Sequence, residues 1–190
     1  MGASNACAHF LKVICMEELR DSRGMTEAEA IARYRSRNYP KPALTADICV
    51  FARAGEGLKV LLIRRKGHPF IGKLALPGGF ANENEPVEQT AARELEEETG
   101  VQGLELRLVD VFSKPGRDPR GWVVSAAFAA VADADKLNVQ AGDDAAEADW
   151  YDVALTEQGL TLAFRGEMIP MSQLAFDHEE VLCKALGTIR

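Results

Sequence analysis

The fold prediction depends most on residues 79–101, which read GFANENEPVEQTAARELEEETGV. Pro86 suits the first turn of a helix, where a backbone N–H would have no intrahelical acceptor, and Gly100 suits the position just after the last turn. Apolar residues recur at every fourth position between them and form one stripe: Val87, Ala91 and Leu95. The pattern predicts a helix from about Pro86 to residue 99, with this stripe packed on a core.

The same helix crowds negative charge. Five glutamates and one arginine lie between residues 88 and 98, and Glu97 and Glu98 follow Glu94 by three and four residues. Like charges at this spacing cost about 0.2 to 0.5 kcal/mol per pair. Carboxylate oxygens without a nearby histidine or thiolate suit Mg²⁺ or Mn²⁺. From the residues alone, a solvated acidic helix face is the alternative to a metal site.

The stretch resembles the Nudix box, a motif of the Nudix hydrolases, which cleave nucleoside diphosphates linked to another group. The resemblance covers every defined position: Gly79, Glu85, Arg93, Glu94, Leu95, Glu97, Glu98, Gly100 and Val101. It implies Mg²⁺ or Mn²⁺ as cofactor, held by Glu94, Glu97, Glu98 and the carbonyl oxygen of Gly78. Arg93 is then expected to orient Glu85 or Glu97.

Composition limits the compartment and the partners. The chain has 190 residues, a net charge of −7 and a pI near 5.1, which argues against binding to a nucleic-acid polymer. Four cysteines are scattered without a Cys-x-x-Cys pair, which favours the cytoplasm. Residues 6–16 are moderately apolar but too short to cross a membrane, and we expect neither a membrane partner nor a signal peptide.

Two regions are predicted. Residues 1–43 form an arm with a short helix, because Thr26 and Glu29 can make a capping box and Pro40 prevents the helix from continuing. The arm packs on the domain or reaches a second subunit. Residues 44–190 form the Nudix hydrolase domain.

Within the domain, strand-like runs alternate with the helical ones. We predict strands over residues 44–51, 58–63, 74–76, 104–112 and 122–131, and a last strand over residues 150–153. A final helix follows, with Asp177 as its cap and His178 in a structural role. The elements predict an α/β fold, a Nudix-type α/β/α sandwich with a mixed β-sheet.

Two loops are candidates for substrate contacts. Arg64, Arg65 and Lys66 end a predicted strand and are equally well explained as a solvated strand end or as phosphate ligands. Phe70 either docks on the core or stacks on a base. The loop over residues 113–121 groups three basic side chains that suit phosphate oxygens or solvent: Lys114, Arg117 and Arg120.

The same loops carry a finer resemblance, to the ADP-ribose pyrophosphatase branch of the family. It rests on Pro115, on the run GRDPRG at residues 116–121 and on HPFIG at residues 68–72. The resemblance favours substrate contacts by four residues: Phe70, Pro115, Arg117 and Arg120. It also implies a further catalytic carboxylate from the acidic loop over residues 136–149, with Glu147 the first match and Asp144 the second.

The predicted function is metal-dependent hydrolysis of ADP-ribose to AMP and ribose 5-phosphate, with Glu97, Glu147 and Arg93 as catalytic residues. Two alternatives stay open. The substrate could be another nucleotide, such as NADH, a dinucleoside polyphosphate or oxidised dGTP. The protein could also be a non-catalytic ADP-ribose sensor, although we expect no winged-helix DNA-binding domain after the final helix. A homodimer is a further expectation from the resemblance.

Overall fold

The computed structural model describes residues 19–55, 57–133, 137, 139 and 145–189. The expectations about residues 6–16, Cys7, Cys15 and Asp144 lie outside this part of the chain. The chain divides into two compact units, Met1–Pro40 and Lys41–Arg190. In the first unit, helix α1 spans Glu27–Arg35 and begins with the predicted Thr26–Glu29 capping box, in which each residue's side chain accepts the other's backbone N–H.

The second unit is built on one mixed sheet. Its strands are β1 Ala43–Ala54, β2 Gly57–Arg65, β3 Leu74–Ala75, β4 Gly78–Phe80, β5 Arg107–Phe112, β6 Val123–Asp133, β7 Ala145–Thr156, β8 Gly159–Phe164 and β9 Glu167–Ile169. The strand order is β5-β6-β1-β2-β7-β8-β9, with β3 paired to β2 and β4 to β1. β1 and β6 run parallel, and the other pairs are antiparallel. The predicted mixed sheet is confirmed.

Strand β1 is buried on both faces, from Thr45 to Ala52. Ile48 and Val50 pack on one face with Leu95 of helix α2 (Val87–Thr99). Cys49 and Phe51 point the other way, into the core that includes helix α3 (His178–Thr188). Successive side chains of a strand alternate between its faces, so the two helices lie on opposite sides of the sheet. This is the predicted α/β/α sandwich.

Helix α2 has the predicted ends. Pro86 is its N-cap, and Gly100 takes a left-handed conformation with φ of 71° while its N–H donates to the carbonyl of Glu96. Ala91 and Leu95 are buried, as the apolar stripe requires. Each large apolar side chain buried in this way contributes about 1.5 to 3 kcal/mol to folding.

The prediction of a last strand over residues 150–153 was wrong. These residues lie in the middle of β7, and two further strands follow it. The hairpin between β8 and β9 turns at Arg165 and Gly166, both with positive φ, as a two-residue type I′ turn requires. Because β7 begins at Ala145, Glu147 lies on a strand and not in the predicted acidic loop.

Candidate active site

The turn between β3 and β4 brings the backbone close to helix α2. Gly78 has φ of 155°, and a Cβ atom there would collide with the carbonyl oxygen of Ala46 on β1. A Cβ atom on Gly79 would collide with the carboxylate of Glu94. Gly78 therefore allows a close backbone approach that no other residue would permit, whereas Gly79 leaves room for the carboxylate of Glu94.

Arg93 is the centre of the ionic contacts around α2. Its guanidinium donates to both carboxylate oxygens of Glu85 at 2.9 and 3.0 Å, to Glu94 at 2.7 Å and to Glu97 at 3.0 Å. Arg93, helped by the Asn82 N–H, lowers the pKa of Glu85 to about 2, and the pKa of Arg93 is raised in turn. Burial raises the pKa of Glu94 despite its contact with Arg93.

The predicted metal ligands are close to one another but are not gathered at one point. Glu94 and Glu98 line a cavity of about 480 Å³, and the Glu98 carboxylate accepts the N–H of Gly78 at 2.8 Å. Glu97 is 57% exposed and is turned towards Arg93. Among the described residues, no three His, Cys, Asp or Glu side chains form a group that could hold a metal ion. The donor types, carboxylate and carbonyl oxygens, fit Mg²⁺ or Mn²⁺.

Cationic side chains line the same cavity. Arg65 and Lys66 come from the end of β2, and Arg120 comes from the loop between β5 and β6. Burial and the nearby Arg120 lower the pKa of Arg65. The cavity therefore combines carboxylates, which attract a cation, with guanidinium groups, which attract phosphate oxygens.

Aromatic rings support these cations. The Arg120 guanidinium lies 4.6 Å from the ring centroid of Phe80 and 5.4 Å from that of Phe176, and Arg65 lies 5.0 Å from Phe176. Phe70 meets Phe176 edge to face at 4.8 Å and packs against a small buried cluster with Ile63. Phe70 thus packs against core residues, which is the first of its two predicted roles. Stacking on a base of the substrate stays a prediction.

Three other predicted residues lie away from this cavity. The Arg117 side chain is only 4% exposed and bonds to Asp177 and Asp47, which favours a structural role over a phosphate contact. Pro115 is exposed on the same loop. Glu147 pairs with Arg64 at 2.9 Å on β7, and it is not among the residues that line the cavity.

Sequence reasoning missed a buried polar network below the loop over residues 113–121. Asp47 accepts from the Ser125 hydroxyl at 2.5 Å and from Arg117 at 3.3 Å, and His178 lies 3.6 Å away. Burial raises the pKa of Asp47, but His178, Ser125 and Arg117 outweigh it and lower the pKa to about 2. The available signal was one acidic residue inside the apolar run of β1, which indicates a paired charge.

The comparison with known families agrees with this geometry. The model of the NUDIX domain matches residues 41–171. The chain belongs to the Nudix family. It is similar to a curated ADP-ribose pyrophosphatase of Methanocaldococcus jannaschii, with 36% identity over 86% of this chain and 83% of the relative.

Other Nudix relatives include regulators. An ADPR-responsive transcriptional repressor, NtrR, of Acinetobacter baylyi is 31% identical over 86% of this chain, which spans only 61% of that repressor. Solved structures are also similar. A MutT/nudix family protein of Enterococcus faecalis has 38% identity and a TM-score of 0.76, and the match covers 88% of this chain and 70% of that protein's chain. The NUDIX domain of Shewanella oneidensis NrtR was solved with ADP ribose. It has 30% identity to this chain and a TM-score of 0.69, and the match covers 87% of this chain and 100% of that domain.

Proposed function

We propose that this protein is a pyrophosphohydrolase that cleaves ADP-ribose into AMP and ribose 5-phosphate. The observation that carries the proposal is the cavity that Glu94 and Glu98 share with Arg65 and Arg120. Hydrolysis of a diphosphate needs its anionic oxygens neutralised and its leaving phosphate held, and this cavity has groups for both tasks. The similarity to an ADP-ribose pyrophosphatase supports the choice of substrate.

We propose Mg²⁺ or Mn²⁺ as the cofactor, held by Glu94, Glu97, Glu98 and the Gly78 carbonyl. A bound ion of this kind would neutralise phosphate oxygens and promote the ionisation of water. Glu97 is exposed, so its side chain is free to change rotamer when a cation competes with Arg93. A similar bifunctional protein of Francisella tularensis, 25% identical with a TM-score of 0.62, was solved with AMP and a manganese ion.

The protein residues would share the remaining work. Arg120, held against Phe80, would steady the departing phosphate, while Arg93 would orient Glu85 and Glu97. A general base must come within hydrogen-bond reach of the water it activates. Glu97 and Glu147 are each paired with an arginine, and we favour Glu97 as the base because it lies on the same helix as Glu94 and Glu98, which line the cavity. Phe70 and Pro115 remain proposed contacts of the nucleoside.

Initial rates on four substrates test this function. ADP-ribose, NADH, a dinucleoside polyphosphate and oxidised dGTP are compared with Mg²⁺ and with Mn²⁺. We expect the highest kcat/KM on ADP-ribose, with AMP and ribose 5-phosphate as products. A clear preference for one of the other three would contradict the proposed substrate while leaving the hydrolase function in place.

The variant Glu97→Gln tests the catalytic assignment. We expect kcat on ADP-ribose to fall at least about 100-fold, because the amide neither accepts a proton nor binds a divalent cation well. Glu88→Gln is the matched control, since Glu88 is exposed in the first turn of the same helix. Turnover by Glu97→Gln within tenfold of the wild type would contradict the assignment.

A second candidate function is an ADP-ribose sensor, favoured by the similarity to NtrR and NrtR. Calorimetry with ADP-ribose, followed by product analysis of the same sample, separates the two. Binding with turnover supports the enzyme. Stoichiometric binding with intact ADP-ribose after overnight incubation with Mg²⁺ would establish the sensor.

We also propose a cytoplasmic homodimer that does not bind a nucleic-acid polymer. Cys49 and Cys183 are free thiols, which fits a reducing compartment. None of the helices in the described part of the chain is long and apolar enough to cross a membrane. Because a relative of this chain, Shewanella oneidensis NrtR, was solved with a 27mer DNA, a gel shift with duplex DNA is the direct test, and light scattering tests the dimer.

A further inference from the structure

We propose that Arg117 is a positioning residue, which anchors the loop over residues 113–122 and thereby presents Arg120 to the substrate. The inference rests on the proposed function, since it concerns how the same cavity holds a phosphate. It replaces the direct phosphate contact predicted for Arg117 from the sequence.

The anchor has two ends. The Arg117 guanidinium donates to both carboxylate oxygens of Asp177 at 2.7 and 2.8 Å, and also to Asp47 at 3.3 Å. Asp47 lies on β1, and Asp177 directly precedes α3. Asp177 occupies the N-cap position of α3, but its side chain makes no cap hydrogen bond. Its carboxylate is bonded to Arg117 instead, so the loop is tied both to a strand of the sheet and to the start of helix α3.

Asp118, which follows Arg117, links the anchor to the cavity through Arg120. Asp118 is buried, and its carboxylate accepts from the backbone N–H of Arg120 at 2.8 Å and from the Arg120 guanidinium at 2.6 Å. The Arg120 guanidinium in turn lies over the rings of Phe80 and Phe176. Because Arg117 and Asp118 are adjacent, fixing the first fixes the second, and Asp118 sets the direction of Arg120.

The same anchor adjoins the other wall of the site. Asp47 pairs with Gly78 in the β1–β4 ladder, and His178, next to Asp177, accepts the N–H of Leu76 at 2.9 Å through Nδ1. The anchor therefore stands between the turn that holds Gly78 and the loop that holds Arg120. Removing the guanidinium would leave two largely buried carboxylates without this cation, which is unfavourable, and we expect the loop to shift as a result.

A double-mutant cycle on KM tests the proposal. The proteins are wild type, Arg117→Gln, Asp177→Asn and the double variant, with Arg117→Lys as the conservative variant. We expect Arg117→Gln and Asp177→Asn each to raise KM for ADP-ribose about tenfold and to lower kcat less. The double variant should resemble Arg117→Gln alone, because both changes break one anchor. Arg117→Lys should recover part of the KM.

The cycle also distinguishes an anchor from a phosphate ligand. If Arg117 touched the substrate, Asp177→Asn would leave KM unchanged or lower it, and that result overturns the proposal. Multiplicative effects of the two changes would also overturn it. Arg107→Gln is the control, since Arg107 is an exposed arginine on β5 that pairs with Glu105. If Arg117→Gln does not fold, Asp177→Asn and Arg117→Lys decide the question alone.

A second readout is independent of catalysis. Lys114 is exposed in the anchored loop, so lysyl endopeptidase cleavage after Lys114 reports how firmly the loop is held. We expect Arg117→Gln to be cut there at least fivefold faster than wild type and Arg107→Gln at the wild-type rate. An unchanged rate in Arg117→Gln overturns the anchor. Absence of turnover in the wild type, with faster cleavage in Arg117→Gln, would overturn the proposed function and leave the anchor standing.

Discussion

At the scale of single residues, two neighbouring glycines do different work. Gly78 makes room for the backbone of β1, and Gly79 makes room for the carboxylate of Glu94. A backbone atom cannot move without displacing its strand, whereas the end of a glutamate side chain can turn away. The two glycines are therefore predicted to fail in different ways when a methyl group is added.

Replacing Gly78 by alanine should lower stability, and replacing Gly79 by alanine should lower activity. We expect Gly78→Ala to cost about 2 kcal/mol or more, through its positive φ and its clash with Ala46. Gly79→Ala should keep most of the stability but lower kcat/KM at least about tenfold, because Glu94 is displaced. Thermal unfolding and initial rates on ADP-ribose measure both effects. Gly187→Ala, where a methyl group meets open space, is the control.

At the scale of elements, helix α2 was predictable and its surroundings were not. Its ends are marked locally, by Pro86 and Gly100, and its apolar stripe has a helical period. The anchor of Arg117 joins Asp47 to Asp177, which are 130 positions apart, and no local pattern encodes such a contact. For the same reason the sequence predicted that arginines of this loop contact the substrate but could not tell that Arg120, and not Arg117, lines the cavity.

The strands beyond β7 were missed for another reason. β8 and β9 have six and three residues, and their turn uses Arg165 and Gly166 instead of a pair such as Asn-Gly. Short strands in which apolar and polar residues alternate for only a few positions give a weak periodic signal. The alternation of Leu160 and Leu162, both buried, was the available sign.

The ion pair between Glu85 and Arg93 makes the stability of the protein depend on pH in the acid range. The pKa of Glu85 is about 2 in the folded protein, below its ordinary value of 4.5, because Arg93 and the Asn82 N–H stabilise the carboxylate. A carboxyl group whose pKa is lowered by folding stabilises the folded protein at every pH above its pKa in the unfolded chain. This stabilisation is lost as the pH falls through its pKa in the folded protein. The contribution is therefore complete above about pH 4.5 and lost towards about pH 2.

We expect Glu85→Gln to remove this dependence. In thermal scans between pH 7 and pH 3, the gap in Tm between wild type and Glu85→Gln should be largest at neutral pH and should narrow with acidification. Glu83→Gln, an exposed change in the same loop, should follow the wild type at every pH. A gap that stays constant over this range would show that Glu85 acts without its charge.

At the scale of the whole molecule, the candidate site belongs to one of the two compact units. The cavity, the anchor and the mixed sheet are all formed by residues of Lys41–Arg190. We proposed a boundary at residues 43 and 44 from the sequence, and the compact unit begins three residues earlier, just before β1.

A chain that starts at Lys41 should therefore fold and hydrolyse ADP-ribose. We expect its kcat/KM to lie within about threefold of the full chain, since every residue of the cavity is kept. Circular dichroism and initial rates test this, with light scattering on both chains to show whether residues 1–40 affect self-association. If the shortened chain did not fold, residues 1–40 would be required for the folding of the hydrolase unit, and this prediction would be wrong.

The parallel pairing of β1 with β6 has a consequence for biosynthesis. It joins residues 43–53 to residues 123–133, and Asp47 meets His178 of α3 only after a further stretch of chain has been made. Contacts so distant along the chain close slowly and late. A nascent polypeptide thus carries the Nudix box long before it has a pocket, and enzymatic competence should arrive only after β6 and α3 have been synthesised.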